Sequence, residues 1–201
     1  MNIEKTIESL KLNGYNVLYF NFAYEAVSYL NSKIDNKSVG FGDSATLLSM
    51  KLFEQLSSHN EVFDPQHCAV GTSFIDTAKK CLTTDVYITS LNALAQTGEL
   101  VNIDGTGNRI AGSLFGHEKV YFVVGINKVV PKLDDAIRRA RNVAAPQNAM
   151  RLKLRTPCAK KGNRCYDCSS PDRICNGMMI HFRKMNGIDM EIVLINEELG
   201  F

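Results

Sequence analysis

No stretch of this 201-residue chain approaches the roughly 18 apolar residues that a bilayer span requires. The first twelve residues carry Glu4, Lys5 and Glu8 among their apolar positions, unlike the basic start and apolar core of a secretory signal. Internal repeats, low-complexity tracts and long linkers are missing as well. There is no flavin or dinucleotide fingerprint, no His-x-x-x-His pair and no visible Ser–His–Asp set. A soluble, cytoplasmic protein is therefore expected, without a complete dehydrogenase site of its own. In that compartment thiols stay reduced, so clustered cysteines point to metal rather than to disulfides.

In bulk the chain is ordinary. Hydrophobic residues make up 45% and charged residues 22%, enough for a core that stands without staples. The net charge of +2 hides an asymmetry: Arg138 to Lys184 holds twelve basic and two acidic residues, a net +10 against −8 for the remainder. Such a segment attracts anions. It lacks the interleaved aromatic residues of a nucleic-acid surface, so nucleic acid is not the expected partner.

Apolar patterning predicts strands alternating with helices. Strands are expected at Val17–Phe20, Ser38–Phe41, Glu61–Phe63, Asp85–Thr89, Lys119–Gly125 and Ile188–Asn196. Helices are expected at Ile3–Leu12, Ala23–Leu30, Thr46–Leu56, Phe74–Leu82 and Leu133–Asn142, the last stopped by Pro146; Leu91–Ala95 reads as a helical turn. The continuous apolar run Lys-Val-Tyr-Phe-Val-Val-Gly suits a strand buried on both faces. The fold expected is a three-layer α/β domain with a mostly parallel sheet over residues 1–155. A cysteine-rich appendage follows over 156–180, and a final strand within 181–201 returns to the main sheet.

Cys158, Cys165, Cys168 and Cys175 fall in a C-x6-C-x2-C-x6-C pattern among Lys, Asn, Ser, Asp and Arg. Four thiols in a polar loop segment make poor core material, and a metal provides the binding energy to fold such a segment. Structural zinc favours two close cysteine pairs, and here only Cys165 and Cys168 are close. Iron–sulfur clusters accept more varied spacing, so a 4Fe-4S cluster is favoured over zinc.

Two loops carry candidate ligand chemistry. Gly40, Gly42, Asp43, Ser44 and Thr46 form a strand–turn–helix junction whose amides and hydroxyls can cradle an anion. Asn92, Glu99, Asn102, Asp104, Gly105, Gly107, Asn108 and Arg109 follow the strand ending at Thr89, and Lys128 follows the one ending at Gly125. Polar residues beyond the carboxyl ends of parallel strands are where open α/β sheets bind ligands. Glu99 and Asp104 are the candidate catalytic carboxylates. A plain structural reading stays open for the same residues: glycines serving turns, Ser44 capping a helix, Asn and Asp bonding loop backbone, Arg109 pairing with Asp104, and thiols lying unligated on a loop.

The segments Gly40-Phe41-Gly42-Asp43-Ser44-Ala45-Thr46, Asn92-Ala93 with Thr97-Gly98-Glu99, and Asp104-Gly105-Thr106-Gly107-Asn108-Arg109 closely resemble the LUD (lactate-utilisation) domain. The likeness continues through Gly125-Ile126-Asn127-Lys128 and Ala144-Ala145-Pro146-Gln147-Asn148-Ala149-Met150-Arg151, spanning roughly residues 35–152. It implies a fold like those of ribose-5-phosphate isomerase, glucosamine-6-phosphate deaminase and the coenzyme A transferases. It also implies a part in oxidising L-lactate to pyruvate alongside iron–sulfur protein partners, with a small organic anion or nucleotide-like ligand, and by analogy a homodimer. Two other readings stand beside it: a sugar-phosphate isomerase or acyl/coenzyme A transfer enzyme, and a non-catalytic scaffold with structural zinc. In related isomerases an acid/base aspartate stands where Asn92 falls, and an amide cannot serve as general base.

Overall fold

The computed structural model describes residues 2–201. In chain order its elements are α1 (Ile3–Leu12), β1 (Asn16–Phe20), α2 (Ala23–Lys33), β2 (Ser38–Phe41), α3 (Ala45–Ser49), α4 (Leu52–Leu56) and β3 (Glu61–Phe63). Next come α5 (Phe74–Cys81), β4 (Val86–Thr89), β5 (Ala93–Ala95), β6 (Leu100–Asp104), α6 (Asn108–Leu114), β7 (Lys119–Gly125) and β8 (Val129–Val130). The chain ends with α7 (Leu133–Arg139), α8 (Ala145–Arg151), α9 (Pro157–Lys161), β9 (Gly177–His181) and β10 (Asp189–Ile195). No helix is long and apolar enough to cross a membrane among the described residues.

Six strands form one sheet in the order β1-β10-β7-β4-β2-β3, every neighbouring pair parallel. The alternating side chains of β7 explain its central place. Val120, Phe122 and Val124 enter the core on one face, and Tyr121 and Val123 that on the other. Leu30 of α2 and Leu52 and Leu56 of α4 cover the second face. Leu10 of α1 packs on the first, together with Leu94 and Leu100. Those two leucines belong to a second sheet, ordered β8-β5-β6-β9, whose far side is closed by Ala136 of α7 and by Ala140. The expected α/β body with a parallel sheet is thus present, and β10 lies in that sheet between β1 and β7. Patterning gives no hint of the second sheet.

Three expectations are corrected. Leu91–Ala95 is no helical turn: Ala93, Leu94 and Ala95 are fully buried and pair with β6 and β8, so tertiary pairing overrides the helix preference of Ala and Leu. Thr46–Leu56 is two short helices broken at Lys51, which takes a left-handed φ of 51°. Pro146 does not stop its helix. Pro has no amide hydrogen for the preceding turn, and a π-helical turn over Ala140–Ala144 absorbs the mismatch, so that α8 follows α7 without a break in helical structure.

Phe122 is completely buried at the centre of the sheet. Replacing it with alanine should cost about 3–5 kcal/mol of folding free energy. The change is measured as a lowered urea midpoint with little change in slope.

Candidate functional site

The strands β7, β4 and β2 are neighbours, so the segments leaving their carboxyl ends meet at one edge of the sheet. Asp43 and Ser44 follow β2, Ser90 and Asn92 follow β4, and Lys128 follows β7. Together with the loop after β6 they line a polar cleft of two lobes. One lobe, about 100 Å³, is bounded by Asp43, Asn92, Asp104, Asn108, Arg109 and Asn148. The smaller, about 30 Å³, is bounded by Ser44, Thr46, Ser90, Lys128, Arg151 and Phe201, with Asp43, Asn92, Arg109 and Asn148 common to both walls.

Hydrogen bonds fix the larger lobe. The Asp104 carboxylate accepts from the amides of Gly105 (2.8 Å), Arg109 (2.9 Å) and Ile110 (3.3 Å), occupying the amino end of α6. It also faces the Arg109 Nε at 4.0 Å. The Arg109 Nη2 donates to the Ile103 carbonyl and reaches the Asn92 Oδ1 at 3.5 Å. Asn92 Oδ1 also accepts from the Ile103 amide at 2.7 Å, and the Asn92 carbonyl accepts from Arg139 Nη1 at 2.5 Å. Asn102 is fully buried behind this layer, accepting from the Asn92 amide and donating to the Ser90 carbonyl. One buried donor on the lobe, the Asn108 Nδ2, has no partner within the protein.

The smaller lobe surrounds a buried lysine. Lys128 Nζ donates to Thr46 Oγ1 at 2.7 Å and to Ser90 Oγ at 3.0 Å. Burial, reinforced by the charges of Arg139 and Arg109, pulls its pKa down to about 7. Burial likewise lowers Arg139. Asp43 holds a left-handed φ of 46°, an uncommon conformation for a residue with a side chain. Burial raises its carboxyl above the ordinary range, while Arg109 and Arg151 oppose the rise. The cleft sets Arg109, Arg151 and Lys128 beside Asp43 and Asp104, and offers a small anion the guanidinium of Arg151 and the side-chain amide of Asn108.

The four clustered cysteines lie beside this cleft. Cys158, Cys165, Cys168 and Cys175 line one cavity, with Arg141 and Arg173 in its wall and no carboxylate or imidazole. All six cysteines of the chain are free thiols. Arg141 Nη2 stands 3.9 Å from the Cys165 sulfur, Thr156 Oγ1 lies 3.2 Å from that of Cys158, and Arg173 Nη1 donates to the Cys168 carbonyl at 2.8 Å. Among the described residues no three His, Cys, Asp or Glu side chains gather closely enough to hold a single ion. An all-sulfur donor set flanked by two guanidinium groups fits a thiolate-bound centre in composition.

Of the residues expected at the site, Asp43, Ser44, Thr46, Asn92, Asp104, Gly105, Asn108, Arg109 and Lys128 line the cleft. Gly40 and Gly42 do not. A Cβ on Gly40 would lie 2.5 Å from the Cys81 carbonyl and one on Gly42 2.5 Å from Thr89 Oγ1, so both are there for close packing. Gly107 precedes α6 as a left-handed residue. Glu99 stands outside the cleft, in the turn between β5 and β6, where it accepts from Thr97. Ser90, Asn148 and Arg151 were not anticipated as site residues. Asn148 and Arg151 are three apart on α8, hence on one face, and Arg151 Nε donates to Asn148 Oδ1 at 3.0 Å.

The buried amine has a consequence for stability. Its folded pKa lies below the ordinary lysine value, so between about pH 7 and 10.5 the unfolded chain binds the extra proton. The native state therefore gains stability as pH rises through that window, and below it bears the full cost. Lys128→Met should be more stable than the parent at pH 7 by a few kcal/mol, with the advantage shrinking toward pH 10.5, as read from denaturation at the two pH values.

The LUD domain profile matches residues 3–195. A crystal structure of a DUF162 family protein from Deinococcus radiodurans superposes with a TM-score of 0.56 at 11% identity, covering 96% of this chain and 95% of that one; at this identity the likeness is one of fold. No curated protein matches the sequence significantly. With the profile covering nearly its whole length, the chain belongs to the LUD-domain family.

Proposed function

We propose that this chain is a component of a cytoplasmic system that oxidises L-lactate to pyruvate, binding a small organic anion in its cationic cleft beside a 4Fe-4S cluster on Cys158, Cys165, Cys168 and Cys175. The lactate assignment comes from the family. The observation that carries the pairing of anion and cluster is a shared wall: Ile174 borders both the cleft and the cysteine cavity. A bound cluster would supply a one-electron carrier. The protein's own residues supply the rest. Arg109 and Arg151 offer charge to a carboxylate, Asn108 Nδ2 offers a buried donor, and Arg141 and Arg173 offset the negative charge of four thiolates. A nucleotide-like ligand would meet the same cations through its phosphates. Onward electron transfer calls for an iron–sulfur protein partner, and a homodimer is the proposed assembly.

The competing readings have less support. A zinc scaffold leaves the charged cleft without a task. A sugar-phosphate isomerase or coenzyme A transfer enzyme needs a reactive carboxylate. Asn92 stands in place of one, Glu99 lies outside the cleft and Asp104 is committed to the backbone of α6, which leaves Asp43 as the cleft carboxylate that reading would have to use.

Protein purified without oxygen should contain iron and acid-labile sulfide in equal amounts, and the double variant C165S/C168S should lose both. A colourless sample with stoichiometric zinc would reject the cluster. For the cleft, Arg151→Met should weaken lactate or pyruvate binding by roughly tenfold to a hundredfold, the range for losing a charged hydrogen bond, as measured by calorimetric titration.

A further inference from the structure

Lys128 is buried in a way that constrains its hydrogens. The Ser90 hydroxyl donates to the Val123 carbonyl at 2.6 Å, and the Thr46 hydroxyl donates to that of Leu199 at 3.2 Å. Both hydroxyl oxygens are therefore left to accept, and Lys128 Nζ gives each of them one N–H. The tetrahedral nitrogen has one position left over. No carboxylate pairs with it among the described residues, and two of its charged neighbours, Arg109 and Arg139, are cations, so an ammonium there is held at a cost. In the neutral amine both hydrogens are spent on the hydroxyls, which leaves a lone pair on a residue that lines the smaller lobe. Across that lobe stands Arg151, whose terminal guanidinium nitrogens have no partner among the described residues.

We propose that Lys128 captures the carbonyl of a 2-oxo-carboxylate, with Arg151 holding the carboxylate and the lysine nitrogen forming an imine with the adjacent ketone carbon. The inference rests on the cleft being an anion site and gives that site a substrate class. The lone pair adds to the carbonyl carbon and the C–O π pair moves to oxygen. A proton passes from nitrogen to that oxygen to give a carbinolamine. Loss of water then leaves the C=N bond, with no oxidant or reductant consumed. The near-neutral pKa of the buried amine keeps the nucleophilic form present at physiological pH. A 2-hydroxy acid has the same carboxylate without the ketone, so it would occupy the lobe without the covalent bond.

The test uses the intact protein with pyruvate as probe and sodium cyanoborohydride as trap, followed by peptide mapping by mass spectrometry. Calorimetric titrations with pyruvate and with lactate run in parallel. The expected result is a single reduced adduct at Lys128, suppressed by excess lactate and missing from Lys128→Met, whose folding is checked by its thermal midpoint. Pyruvate that binds by calorimetry but leaves Lys128 unmodified overturns the imine and leaves the anion site standing. Adducts spread over exposed lysines, equal in parent and variant, overturn it in the same way. If neither acid binds, the anion site falls and the imine with it.

Discussion

Both faces of the six-stranded sheet are packed with apolar side chains, and its central strands expose almost nothing to solvent. Apart from Glu191 of β10, held by Lys119 and Tyr29, polar side chains are pushed from the sheet's interior to the strand ends. Because every strand runs in the same direction, the ends that carry outgoing loops lie on one edge. The insertion of β10 between β1 and β7 adds to this, since its outgoing segment arrives at that edge too. There Asn127 Oδ1 accepts from the Leu199 amide, and the Leu199 carbonyl takes the Thr46 hydroxyl hydrogen. The Lys128 environment is thus assembled from the exits of β2, β4, β7 and β10, four segments far apart in sequence.

The cleft holds several arrangements that cost folding energy. A lysine is buried without a counter-charge, Arg139 is half-buried, Asp43 takes a left-handed backbone with its carboxyl partly desolvated, and an asparagine amide lies unpaired. Each is of a kind that an apolar or unstrained replacement would relieve. Their concentration in one place separates this cleft from the rest of the surface, where the ion pairs are mostly exposed and contribute little. A lysine without a counter-charge and an unpaired amide donor at the edge of an otherwise well-packed sheet are what the proposed anion site would draw on.

Much of this was legible in the sequence where local chemistry decides the outcome. The run of residues 120–125 carries no charge and lies in a strand inside the sheet; the polar residues after Thr89 and Gly125 did collect at the strand ends. Legibility failed where distant partners decide. Ala93, Leu94 and Ala95 suit a helix until β6 and β8 offer them ladder hydrogen bonds, which a window of neighbouring residues cannot reveal. Pro146 looks like a terminator because the π turn that accommodates it leaves no residue signature. That misreading hid the face of α8 on which Asn148 and Arg151 reach the cleft. Glu99 misled for the converse reason: it is close in sequence to site residues, but the tight turn between β5 and β6 carries it to the other end of the small sheet.

The cysteine segment and the cleft are joined by more than proximity. The Asn176 amide donates to the Asp104 carbonyl at 3.0 Å, and its side chain donates to the Gly105 carbonyl at 3.1 Å. A Cβ on Gly105 would meet the Ile174 backbone at 3.1 Å, so the two chains touch at the one residue small enough to permit it. On the other side, the Asn142 side chain in the π turn accepts from the Cys165 amide, and that same turn follows Arg139, which holds the Asn92 carbonyl. Asp104 in turn positions the amide of Arg109. The cysteine segment and the cleft thus share walls through short, packed contacts at Asn142, Ile174 and Asn176.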